Sequence, residues 1–140
     1  MRHRHSDHEG TGRGMEPFIL LRLAEAPAYG YQLHKLMGEL GFRRAAEDPS
    51  RVYKVMHDLE ALGYLTSSWS MGDSGPARRT YDLTSGGKVY LRDRAEDLGR
   101  QAKRIKYFQT RYRRILGRAL SVGIRRKAGA ESARKRGDKQ

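Results

Sequence analysis

Ser50, Arg51, Lys54, His57 and Asp58 fall on one side of a segment whose other side is apolar, giving a compact set of hydroxyl, cationic and imidazole groups. Donors of this kind suit phosphate oxygens and the base edges of a duplex groove, where arginine and lysine pair with guanine. Arg78 and Arg79 stand farther along, beside a Gly/Asp/Ser/Pro cluster, where arginine can enter a minor groove or grip its phosphates. The chemistry on offer is binding rather than bond-making. Neither a Ser-His-Asp arrangement nor a carboxylate pair stands out, so no catalytic residue is assigned. The absence of cysteine removes disulfides, thiolate catalysis and Cys-ligated zinc together. His3, His5 and His8 carry imidazoles in a polar, glycine-rich segment without carboxylate support, a poor metal site. Gly10, Gly12 and Gly14 resemble a phosphate loop only superficially, because no strand precedes them. No metal and no cofactor is expected.

The elements that must position these groups can be read from periodicity. Val52, Val55, Met56 and Leu59 repeat at helical spacing, and Asp48 and Pro49 precede them as cap and first helical residue. Gly63 can stop that helix in the left-handed conformation. A merely solvated polar face would look the same in isolation, so the context decides. Glu16 to Ala26 predicts a short buried helix ended by Pro27, and Tyr29 to Leu40 a second helix stopped by Gly41. Residues 42 to 47 read as a linker. After Gly63 the period becomes two: Leu65, Ser67, Trp69 and Met71 alternate with small polar residues, and Trp69 is expected in the core. Gly72-Asp73-Ser74-Gly75-Pro76 is a turn, and Arg78 to Leu83 return as a strand, with one of the two arginines free for a duplex and the other paired with Asp73 or Asp82. Three helices followed by a hairpin make a winged helix-turn-helix, in which the early turns of the third helix enter the major groove.

Beyond Thr84 the pattern is helical again. Leu91, Leu98, Ile105 and Tyr112 recur every seven residues, with Ala95, Ala102 and Leu116 between them and Gln109 as a polar break. Such a helix is roughly 50 Å long, more than a small core can cover. A second copy of the chain is the simplest cover, and packing back on its own domain is the alternative. The 140 residues carry a net charge of +13, and Arg111 to Gln140 hold 11 Lys/Arg against 2 Asp/Glu. That excess suits a polyanion, whose counterions are released on binding. The longest apolar run, Pro17 to Leu21, is far below the ~18 residues that span a bilayer. Together with a polar N-terminus this predicts a soluble, cytoplasmic protein without a membrane partner.

Tyr29-Gly30-Tyr31-Gln32-Leu33, Asp48-Pro49-Ser50-Arg51-Val52-Tyr53, Leu59-Glu60-Ala61-Leu62-Gly63-Tyr64-Leu65 and Gly75-Pro76-Ala77-Arg78-Arg79-Thr80-Tyr81-Asp82-Leu83-Thr84 follow one another in the order of the PadR family of bacterial transcriptional regulators, which this sequence resembles from about Glu16 to Leu116. The resemblance implies a homodimer with a winged-helix DNA-binding domain, and a C-terminal helix that exchanges contacts with the partner. It also implies repression of a nearby operon, relieved by a small molecule, and it places Tyr31 and Tyr53 beside DNA. Glu16 to Leu21 and the Gly-Pro-Ala-Arg-Arg wing look most like a polyhydroxybutyrate-responsive subgroup. Departures are Tyr29 where the family often has histidine, and Ser85-Gly86-Gly87 where acidic residues are usual. Without a carboxylate there, Thr84 lacks the reciprocal half of a capping box, which predicts a last helix frayed at its start.

The expected fold is therefore mainly α with a small antiparallel β-hairpin: a winged helix-turn-helix plus a long C-terminal dimerisation helix. Its parts are a disordered segment 1–14, a DNA-binding domain 15–84, a dimerisation helix 85–117 and a disordered basic tail 118–140. The expected function is a ligand-responsive repressor that reads a pseudo-palindromic operator in double-stranded DNA as a homodimer. Tyr31, Ser50 and Arg78 or Arg79 would hold phosphates, Tyr53 would lie beside the duplex, and Arg51 and Lys54 would reach base edges. Phe18, Leu91, Leu98 and Ala102, with Ile105 and Tyr112 in the same seam, would line the dimer contact and a pocket for a small apolar effector. The rival readings are a nonspecific architectural or RNA-binding protein driven by the basic tail, and a dimer that only sequesters a drug.

Overall fold

The computed structural model describes residues 12–71 and 75–137. Residues 1–11, with His3, His5, His8 and most of the segment expected to be disordered, lie outside the described residues. Inside it, Arg13–Met15 form a 3-10 turn whose Met15 is buried, so order begins earlier than expected. Helix α1, Glu16–Glu25, begins with Pro17 in its first turn, where a missing N–H is harmless, and buries Ile19, Leu20 and Leu23. It ends before Pro27, with Ala26 extended at φ −170°.

Strand β1, Ala28–Tyr29, leads into helix α2, Gly30–Glu39. The Tyr29 N–H donates to Gln32 Oε1 at 2.8 Å, which satisfies one orphan donor at the start of α2. Gly41, at φ 93°, ends the stretch as expected. Residues 43–47, expected as linker, are instead a short helix α3, Arg43–Glu47. Its buried Ala45 packs into the core, and its carbonyl accepts a hydrogen bond from the His34 Nε2–H at 2.9 Å. Those two contacts order a segment too short to show a periodicity of its own.

Helix α4, Ser50–Ala61, carries the expected core stripe: Val52, Val55, Met56 and Leu59 are all buried. It starts one residue later than the capping pattern predicts, yet Asp48 Oδ1 still accepts the Ser50 N–H at 3.1 Å. Gly63, at φ 84°, closes it. Strands β2, Leu65–Ser70, and β3, Arg78–Leu83, form the antiparallel wing, with Leu65 opposite Leu83, Ser67 opposite Tyr81 and Trp69 opposite Arg79. The sheet has three strands in the order β1-β3-β2, because Ala28 and Tyr29 pair with Tyr81 and Thr80 on the far edge of β3. Two residues cannot display an alternation, so β1 is silent in the sequence. Leu65, Tyr81 and Leu83 close the core from the sheet side, but only its inner end is covered. Trp69, expected inside, is 66% exposed near the outer end.

Helix α5, Ser85–Gly137, starts firmly rather than frayed. Thr84 Oγ1 accepts the Gly87 N–H at 3.0 Å and donates to the Gly63 carbonyl at 2.6 Å, while the Thr84 N–H, which a capping-box carboxylate would accept, donates to the Tyr64 carbonyl at 3.1 Å. The glycine that breaks the family pattern is also required sterically: a Cβ on Gly87 would lie 2.1 Å from the Tyr64 carbonyl oxygen. Tyr90 then stacks on Tyr64, with centroids 4.3 Å apart, and its hydroxyl donates to Glu16 Oε1 at 2.5 Å. Burial and that carboxylate push the Tyr90 phenol up to about 12. The helix also runs through residues 118–137, where a disordered tail is expected. The physical reason is composition: arginine, lysine, alanine and leucine are good helix formers, and no proline follows Pro76.

The chain divides into two compact units after Glu96. The first holds the winged helix and the opening turns of α5. The second, from Asp97, is the remainder of α5, and its side chains are exposed through Gly123 apart from a half-buried Leu98. No helix among the described residues is long and apolar enough to cross a membrane.

Candidate nucleic-acid interface

Three elements of the first unit converge where the cations and tyrosines collect: the start of α2, the outer face of α4, and the wing. Leu33 and Met37 anchor α2 in the core, which leaves Tyr31, in its first turn, 68% exposed. Tyr53 projects from the outer face of α4 and rests its ring on Gly30, so that a Cβ there would meet Tyr53 Cε1 at 2.5 Å. The Tyr29-Gly30-Tyr31 run thus joins two aromatic groups to one close approach. Glycine is needed at Gly30 for space, not for an unusual backbone angle.

At the N-terminal end of α4, the Ser50 hydroxyl donates to Asp48 Oδ1 at 2.6 Å. The Ser50 hydroxyl and N–H, with Arg51 nearby, hold the Asp48 carboxyl below its usual range. Ser50 therefore serves as part of the cap, and its hydroxyl proton is already used. Arg51 is half-buried beside this cap, and Lys54 is exposed. Lys54 is not a lone cation, since its Nζ lies 3.4 Å from Asp58 Oδ2 one turn on. Both side chains are more than half exposed, and such pairs contribute only about 0.3–0.5 kcal/mol, so a phosphate or base can displace Asp58.

The two wing arginines separate clearly. Arg79 Nε donates to Ser67 Oγ at 2.8 Å and Nη2 to Glu60 Oε1 at 3.3 Å, while Ser67 Oγ donates to Glu60 Oε2 at 2.5 Å. Its guanidinium also lies 5.8 Å from the Trp69 ring centroid and 5.7 Å from that of Tyr81. Arg79 is thus a clamp between the wing and α4, and among the described residues its carboxylate is Glu60 rather than Asp82. Asp73 lies outside the described residues, and Asp82 instead accepts its neighbour's Leu83 N–H at 2.8 Å. Arg78, on the opposite side of β3, lies 5.3 Å over the Tyr29 ring and makes no ion pair among the described residues. Among the described residues it is the wing arginine without an acidic partner.

The structure thus brings Tyr53, Arg79 and Tyr81 into one neighbourhood, and sets Tyr31, Ser50, Arg51, Lys54 and Arg78 on the elements around it. Sequence reasoning missed Glu60, Ser67, Trp69 and Tyr29, which fix the wing arginines. The signal for them was available only in part: once the strands are in register, Trp69 and Arg79 face each other. Of the residues expected at a dimer contact and effector pocket, Phe18 and Leu91 are half-buried against the core, Phe18 edge-on to Phe42 at 5.7 Å. Leu98, Ala102, Ile105 and Tyr112 belong to the second unit, where Ile105 and Tyr112 are half-exposed.

A family model described as the transcriptional regulator PadR-like family matches residues 19–93. Among solved structures, a conserved protein of unknown function described as a potential transcriptional factor is 33% identical, with 76% of this chain and 94% of its own covered and a TM-score of 0.61. A PadR family transcriptional regulator from Eggerthella lenta is 29% identical, with 69% and 82% covered and a TM-score of 0.53. A transcriptional regulator from Clostridium thermocellum is 25% identical, with 69% and 91% covered and a TM-score of 0.55. A search of curated proteins found no match.

Proposed function

The chain belongs to the transcriptional regulator PadR-like family, and from that premise we propose that it is a ligand-responsive repressor binding a pseudo-palindromic operator as a homodimer in the cytoplasm. One observation carries the DNA-binding half of this reading: Tyr31, Arg51, Tyr53, Lys54 and Arg78 stand on elements that meet around the outer face of α4. In this reading Arg51 and Lys54, near the N-terminal end of that helix, reach base edges in a major groove. Tyr31, Tyr53 and Arg78 hold the backbone and set the register. The apolar seam of α5, with Leu98, Ile105 and Tyr112 at seven-residue spacing, supplies the contact to a second copy. Two copies related by a two-fold axis present two such helices to half-sites about one duplex turn apart. Phe18 and Leu91, both half-buried in the first unit, supply apolar surface for an effector that favours one dimer geometry over another.

The test is alanine substitution on an operator recovered by selection. Arg51→Ala is expected to cost about 1–3 kcal/mol at one base position and to relax the preference there. Uniform loss across all sequences would reduce Arg51 to a phosphate contact. Light scattering checks the dimer, and a ligand that binds without changing operator affinity removes the sensing step.

A further inference from the structure

Cations of the second unit concentrate along one side of its helix, although Lys106, Arg113 and Lys127 fall outside that arc. From Leu98 to Ala130 the sequence holds 11 Lys/Arg and no Asp or Glu. At about 100° of turn per residue, Lys103, Arg104, Arg111, Arg114, Arg118 and Arg125 all fall within roughly 100° of arc. Ile105, Tyr112, Leu116 and Leu120 fall on the other side of the same helix. All ten side chains are exposed. Among the described residues none of the six cations makes an ion pair, whereas Lys54, Arg79, Arg94 and Arg100 do. Arg111 lies over the Tyr107 ring at 4.9 Å.

Like charges three or four residues apart, such as Arg111, Arg114 and Arg118, each destabilise an isolated helix by about 0.2–0.5 kcal/mol. With no carboxylate in the segment to offset this, the row is built for an external anion. Its length also fits one. Residues 103 to 125 span about 33 Å at ~1.5 Å per residue, close to one turn of duplex DNA. If the apolar side meets a second copy, the basic side remains open. A single strand is a poorer match, because its sites interleave cations with free aromatic platforms. Tyr107, the aromatic ring nearest the cations on this arc, is already covered by Arg111.

We propose that this stripe is a second, sequence-independent contact to the phosphate backbone of duplex DNA, separate from the groove-reading face of α4. The inference rests on the DNA-binding reading above, and the test keeps the two apart. The full chain and its R104Q/R111Q/R114Q/R118Q variant are titrated by fluorescence anisotropy against two probes across a salt series. One probe is a random duplex of about 40 base pairs, and the other is the duplex the full chain enriches from a random pool. The variant is expected to lose about three and a half units from the slope of log affinity against log salt, at close to 0.9 per phosphate contact. It should bind both duplexes at least about tenfold more weakly at low salt. Its preference between them, its helix content by circular dichroism and its subunit number stay unchanged. The milder R111Q and R118Q variants each lower the slope by about one, so the test survives if the quadruple variant fails to fold. An unchanged slope overturns the stripe while the sequence preference survives. The same variants are also titrated with a single-stranded RNA and with phosphatidylserine vesicles, and losses confined to either overturn the stripe in favour of that partner. A full chain that prefers no duplex sequence at all defeats the regulator reading instead, whatever the slope.

Discussion

Replacing Arg79 with alanine should weaken the fold, whereas replacing Arg78 should weaken DNA binding. The contrast follows from their partners. Arg79 loses an ion pair to Glu60 whose side chains are 44% and 26% exposed, which places it near the upper end of about 0.2–1 kcal/mol for surface pairs. It also loses the bond to Ser67 Oγ, about 1 kcal/mol, and cation–π contact with Trp69 and Tyr81, about 0.5 kcal/mol. The sum is about 2.5 kcal/mol, or a fall of about 10–20 °C in Tm for a unit of this size. Among the described residues Arg78 has only its contact with the Tyr29 ring, so Arg78→Ala should cost less than about 1 kcal/mol of stability. Thermal unfolding by circular dichroism gives the first quantity, and anisotropy against duplex DNA the second. A double-mutant cycle between Arg79→Ala and Glu60→Gln should return a coupling of about 0.5–1 kcal/mol. If Arg79→Ala leaves Tm unchanged but weakens binding, the assignment of the two arginines is reversed and the reasoning fails.

Three further outcomes are expected. Gly30→Ala should keep the fold but swing the exposed Tyr53 ring aside, weakening DNA binding as much as Tyr53→Ala does, with no further loss when the two are combined; additive effects in anisotropy would contradict this. Gly87→Ala should be severely destabilising, by more than about 3 kcal/mol in chemical denaturation, because the new methyl meets the Tyr64 carbonyl and the Leu83 side chain; a near-wild-type midpoint would show that the start of α5 can shift. Tyr90 ionises at about 12 in the folded chain against 10.0 for a free phenol, so its contribution is complete below pH 10 and is lost as pH rises through 12. The loss should amount to less than about 2 kcal/mol, since the ring is only partly buried. Tyr90→Phe should flatten that alkaline decline, and a decline of equal steepness would assign it to other groups.

How much of this was legible in the sequence varies with the kind of signal. Val52, Val55, Met56 and Leu59 announced α4 because four apolar side chains at helical spacing leave one way to be buried together. Gly41 and Gly63 announced helix ends because their positive φ suits glycine above all. Strand β1 and helix α3 were hidden, since two and five residues carry no period, and both are held by partners far along the chain: Tyr81 and Thr80 for one, His34 for the other. Trp69 was misplaced because alternation says which side of a strand a residue occupies, not how far the core extends beneath it. The start of α5 was misjudged for a related reason. A missing carboxylate after Thr84 looked like a lost cap, while the replacement acceptor for its N–H, the Tyr64 carbonyl, lies twenty residues back in the chain. The cations were visible as a set. What the sequence could not show was their division of labour, because the Glu60 that engages Arg79 is set by the packing of the wing on α4.

The central claim is that paired α4 helices read two half-sites of one duplex. Selection of bound fragments from a random duplex pool by the full chain, followed by sequencing, tests it directly. The account predicts an inverted repeat whose half-sites lie about 10 base pairs apart, centre to centre. A pool that stays random, or that enriches a single unrepeated half-site, would contradict it.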